Sequence, residues 1–141
     1  MTTKVRIRSI ALVAITLVSP AFLRAGGVVN SADEESLRAA LVGGGSVTFA
    51  VDGAIALSSP LVISNNTSID GVGHTVTISG SNTVQVFQVT SGIQLGLLNL
   101  TIANGRSDHG GAVYNQGLLT ASNCTFSGNA ALSSLVLPCA T

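Results

Sequence analysis

The side chains able to move a proton or hold a metal are few in this chain, and they are scattered. Only 9% of its 141 residues are charged. Beyond residue 35 the carboxylates are Asp52, Asp70 and Asp108, the imidazoles are His74 and His109, and the cations are Arg38 and Arg106. Glycoside hydrolysis needs two carboxyl groups flanking the scissile bond. A lyase needs a base to abstract a proton and acids to hold calcium. A metal centre needs three or four converging ligands. The three aspartates are 18 and 38 residues apart, and the two histidines 35 apart. Each aspartate adjoins Gly or His in a turn-like context. Asp108 and His109 are neighbours and would point to opposite faces of a strand. Gly71-Val72-Gly73 and Gly110-Gly111 lack the Lys and helix N-terminus of a phosphate loop. The sequence therefore assigns no catalytic residue, no cofactor-binding residue, no metal ligand and no cofactor.

Whether such spacings can converge depends on the elements that carry them. A block returns three times at a step of 24 residues: HTVTISG at 74–80, LNLTIAN at 98–104 and SNCTFSG at 122–128. Val76, Leu100 and Cys124 share one column, Thr77, Thr101 and Thr125 the next, and Ile78, Ile102 and Phe126 the third. Apolar, Thr, apolar is the alternation of a strand with one buried face. Recurrence at a fixed step of this size indicates a solenoid with one coil per repeat. Neither the aspartate nor the histidine spacings are multiples of 24, so no acid column is expected.

Each step has room for three short strands, which gives an all-β fold: a right-handed parallel β-helix of about three coils. A left-handed β-helix would show a hexapeptide period instead. Expected strands are Val47–Val51, Ala54–Leu57, Leu61–Ser64, Thr67–Ile69, Val84–Val89, Ile93–Leu97, Gly110–Tyr114 and Leu118–Ala121, besides the repeat blocks. The first coil does not fit the 24-residue step. Asn99 and Asn123 should form a ladder at a corner, with the Thr column outside. This reading is preferred to glycosylation, although Asn65, Asn66, Asn99 and Asn123 all fit the acceptor pattern. One short N-terminal capping helix precedes the coils. Asp33, Glu34 and Glu35 suit a helix start, Ser31 or Asp33 could cap it, and Leu37, Ala40 and Leu41 share a face. Gly43-Gly44-Gly45 ends it.

The formal charge of zero hides an asymmetry. Lys4, Arg6, Arg8 and Arg24 all lie within the first 25 residues. Without them two arginines stand against six acids, leaving −4. That balance excludes a nucleic-acid-binding surface and attraction to an anionic membrane. Residues 1–25 have the form of a secretory signal: a positive start, an apolar stretch from Ile10 to Val18, and small residues permitting cleavage after Ala21 or Ala25. The chain divides into this signal (1–25), an entry and capping helix (26–45), the β-helix (46–131) and an irregular tail (132–141). Export would permit a disulfide between Cys124 and Cys139. Cys124 nevertheless falls in the inward column, where a free thiol acts as a small hydrophobe, and this is the preferred reading.

Glu35-Ser36-Leu37-Arg38-Ala39-Ala40 partly resembles the N-terminal Cys-Ser-Leu-Arg-Glu-Ala signature of bacterial exported β-helix proteins. Glu35 stands at the Cys position and Ala39 at the Glu position. Gly110-Gly111-Ala112-Val113-Tyr114-Asn115, followed by Phe126-Ser127-Gly128-Asn129, resembles the repeats of polymorphic outer-membrane proteins. The resemblance covers residues 28–131. It implies a pectin-lyase-like solenoid and a secreted or cell-surface (outer-membrane) location. It implies a non-enzymatic adhesion or display role, with surface glycans or other cell-surface proteins as partners. Pattern failure after Ala131 leads to two expectations: a truncated piece of a larger protein, and self-association through the C-terminal coil. On fold analogy the alternative is a carbohydrate-binding or polysaccharide-degrading module.

Overall fold

The computed structural model describes residues 26–132. The expected export signal, Cys139 and all of the expected tail but Leu132 lie outside the described residues. Strand β1 (Val28–Val29) enters, and helix α1 (Glu34–Leu41) follows. Then come β2 (Gly45–Phe49), β3 (Gly53–Ala56), β4 (Leu61–Ile63), β5 (Thr67–Asp70), β6 (Val76–Ser79), β7 (Phe87–Val89) and β8 (Gln94–Leu98). The last are β9 (Thr101–Ala103), β10 (Arg106–Ser107), β11 (Val113–Asn115), β12 (Leu118–Ser122), β13 (Thr125–Ser127) and β14 (Ala130–Ala131).

All strand pairs are parallel. The first sheet runs β1-β2-β5-β8-β12, the second β3-β6-β9-β13 and the third β4-β7-β11, with β10-β14 as a two-stranded ladder. This is the expected parallel β-helix. Its length corrects the sequence estimate: the second sheet has four levels, so the coil stack makes about four turns rather than about three. The first coil was expected to be irregular, and its steps differ from 24. Gly53 pairs with Val76, a step of 23, and Gly45 with Thr67, a step of 22. The 24-residue step holds from β6 to β9 to β13, while the third sheet advances by 26.

Corners absorb these differences. Between the first and second sheets the chain uses residues 50–52, then 71–75, then Asn99 and Leu100, then Asn123 and Cys124. Asn99 (φ 54°) and Asn123 (φ 52°) turn the chain in the left-handed region, which Asn tolerates better than most residues. The strand expected at Val84–Val89 shrinks to Phe87–Val89, and the segment before it opens with Ser81 and Asn82 at positive φ. The N–H groups of Thr83 and Val84 both close onto the Gly80 carbonyl, and a turn results.

Inward side chains stack as the register demands. Ile55, Ile78 and Ile102 align, each 1% exposed or less. Val47, Ile69 and Leu97 align likewise. Thr77 and Thr101 stay at the half-buried outer face. Two inward residues depart from expectation. Phe126 pairs with Ile102 but is 45% exposed, and Cys124 is a half-buried free thiol rather than a buried one. Among the described residues no coil lies over them.

Asp33 caps α1, its Oδ1 accepting the Ser36 N–H at 2.7 Å. Leu37 is fully buried and Ala40 nearly so, with Leu41 packed at the margin. Burying a leucine is worth about 1.5–3 kcal/mol. Gly43, Gly44 and Gly45 all adopt positive φ and end the helix. Glu34 Oε2 accepts from the Ser58 N–H (2.9 Å) and hydroxyl (2.7 Å). Arg38 donates to Glu34 Oε1 at 2.8 Å and to the Ser59 carbonyl at 2.6 Å. The helix is thus tied to the turn between β3 and β4.

Candidate functional site

The corner between the first and second sheets gathers more chemistry than any other place in the described residues. Residues 71–75 project where the next two coils turn within two residues, and this difference leaves a ledge. The cleft above it has a volume of about 440 Å³. His74 and Thr75 form its floor, and Asn99, Thr101, Asn123 and Thr125 rise along its wall.

Two arrangements meet here. The first is a polar ladder. Asn123 Nδ2 donates to Asn99 Oδ1 at 2.7 Å, and Asn99 Nδ2 donates to Asp70 Oδ1 at 2.7 Å. The same Asp70 oxygen accepts the Val72 N–H at 2.9 Å. Asp70, expected as a turn residue, therefore both closes its turn and anchors the asparagine ladder. The second is a carboxylate–imidazole pair. Asp52 Oδ1 accepts the Thr75 N–H at 2.6 Å and lies 3.4 Å from His74 Nδ1. That nitrogen is enclosed and makes no hydrogen bond. A proton on Nδ1 facing the carboxylate would leave Nε2 as an acceptor.

The pairing of Asp52 with His74 was missed in the sequence. The residues are 22 apart, near the short first steps of 22 and 23 and not the 24-residue one. Aligning Asp52-Gly53-Ala54-Ile55 with the first repeat block at its own offset of 23 sets Asp52 opposite Thr75, next to His74.

The other candidates do not converge. Arg38 is spent on α1 and its tie to Ser59. Arg106 lies exposed on β10, and Asp108 is exposed at the following corner. The His109 ring packs edge-on against Tyr114 at 6.1 Å. Among the described residues no three His, Cys, Asp or Glu side chains come close enough to share a metal ion.

The glycine-rich motifs serve the stack. At Gly111 an added Cβ would lie 2.4 Å from the Ala130 carbonyl oxygen and 2.5 Å from that of Gly105. Asn129 donates to the Ile102 carbonyl at 2.8 Å and accepts the Gly105 N–H at 2.7 Å, joining two coils. Gln85 donates to the carbonyls of His109 and Gly110. No protein family, curated protein or solved structure matches the chain.

Proposed function

We propose that the chain is an exported, non-enzymatic β-helix module that works by adhesion or display outside the cell or at its surface. Its partners are glycans or other surface proteins. The observation that carries this reading is the neutral wall of the corner cleft. Asn99 and Asn123, like Thr101 and Thr125, sit one coil apart in register, a spacing of about 4.8 Å. A wall of amides and hydroxyls at a fixed repeat suits a ligand rich in hydroxyl groups, met by hydrogen bonds rather than charge. The form of residues 1–25 supports export, and the resemblance of residues 110–115 and 126–129 to outer-membrane repeats supports a surface location.

The test is binding of the chain to a panel of neutral and acidic oligosaccharides, and adhesion of chain-coated beads to cells. Selective glycan binding that weakens at least tenfold in the double variant Thr101→Val, Thr125→Val supports the reading. Absence of both glycan binding and bead adhesion counts against it.

The Asp52–His74 pair favours a second reading, polysaccharide cleavage. Here His74 would act as the proton-transferring group, oriented by Asp52. New reducing ends or unsaturated products from pectin-like substrates, abolished by His74→Ala, would select that reading over the first.

A further inference from the structure

We propose that the open C-terminal coil is an interface for a second copy of this chain, and that the assembly is a closed two-fold dimer joined end to end. The two ends of the stack differ. The N-terminal end is covered by α1, with Leu37 and Ala40 buried beneath it. At the other end β12, β13 and β14 are the outermost strands of their sheets among the described residues. Their outer N–H and C=O groups form a template for another strand.

The composition of this edge removes the usual protection. Residues 109–132 contain no Asp, Glu, Lys, Arg or Pro. Edge strands normally carry such residues to discourage pairing. Instead Leu118 (53% exposed), Phe126 (45%) and Leu132 (41%) stand open. Phe126 is in register with fully buried Ile102, so its ring belongs to a column that lacks its next member among the described residues. Two neutral apolar ends can meet without electrostatic repulsion.

Geometry selects the symmetry. Because α1 blocks the first end, an open end cannot dock on a capped one to propagate a fibre. Open end on open end is isologous and closes at two. A two-fold axis across the stack keeps the handedness of each coil but reverses the direction of the facing edge strand, so the strands meet antiparallel. The longest edge strand is β12, centred on Thr120. Placing the axis there sets Thr120 opposite its own copy, Leu118 opposite Ser122, and Leu119 opposite Ala121. Leu119 and Ala121 are in register with buried Leu95 and Leu97, so large meets small on the inner face.

Charge exchange at Thr120, an exposed side chain, tests this. Sedimentation of the full chain at micromolar concentration should give twice the monomer mass. Thr120→Lys alone and Thr120→Glu alone should each sediment as monomer, since each sets like charges across the axis. An equimolar mixture of the two should recover the dimer. In the unmodified chain, amide exchange in β12 should slow as concentration rises, while that in β2 should not. A monomeric unmodified chain would overturn the proposal, its last coil then being covered within one molecule. Undiminished dimerisation of Thr120→Lys, failure of the mixture to recover the dimer, open-ended assemblies, or β12 exchange independent of concentration would overturn it equally.

Discussion

Asn99 joins three demands at one position. It turns the chain with φ 54°, donates to Asp70 and accepts from Asn123. Asn99→Ala removes both hydrogen bonds and should cost about 1–3 kcal/mol in urea unfolding. Asn99→Gly, which suits the turn, should cost less. Equal stability of all three chains would show that the ladder contributes nothing. Ile102 makes the contrasting case of pure packing. Ile102→Ala should lose about 2–5 kcal/mol, and a loss below about 0.5 kcal/mol would remove it from the centre of the core. The Asn99–Asn123 ladder was legible because both residues lie in the regular 24-residue region. The contribution of Asp70 was not, since the corner 71–75 sets it 29 residues from Asn99. Spacing arguments fail wherever a corner changes length.

Helix α1 was legible nearly to the residue, because acids, an apolar stripe and three glycines mark its start, face and end. Its tie to Ser58 was not, since nothing in a helix pattern names a distant turn. Replacing Leu37 and Leu41 together by Lys should lower the melting temperature and increase association through the uncovered first coil. Unchanged melting and sedimentation would show that α1 is no cap. The tie also sets a pH dependence. The Ser58 hydroxyl, followed by the Arg38 guanidinium, holds Glu34 down to about 2 from an ordinary 4.5. A carboxyl depressed in the folded state stabilises above its unfolded value and ceases to do so as the pH falls through the folded one. The melting temperature of the parent should therefore fall between about pH 4.5 and 2, and more steeply than that of Glu34→Gln. Parallel profiles would deny Glu34 this role. Among the strands, those with alternating buried residues were found, whereas β1, β10 and β14 are two residues long and carry no periodicity to read.

A stack in which each coil touches only its neighbours is nearly one-dimensional, so its stability should grade along the axis. In Thr120→Lys, chosen to remove the proposed end-to-end contact, amide exchange should be slowest around Ile78 and Ile102 and fastest in β13 and β14. Uniform protection would indicate a single cooperative unit. The number of turns was read slightly short, at about three rather than about four, although the departure of the first coil from the 24-residue step was read. That departure has a wider consequence. The interior of this molecule registers which residue faces inward, while the corner between the first and second sheets varies in length from coil to coil. A peptide spliced between Val72 and Gly73, where an added Cβ on the glycine meets nothing within 4 Å, should leave melting and strand pairing intact. Even doubling the length of a flexible insert costs only about 0.6 kcal/mol. One residue inserted between Thr77 and Ile78 should unfold its coil, since it turns an entire row inside out. Sequence novelty can thus accumulate on the outside of the stack while the inside keeps its order, and new surface can be written onto the chain without rewriting what holds it together.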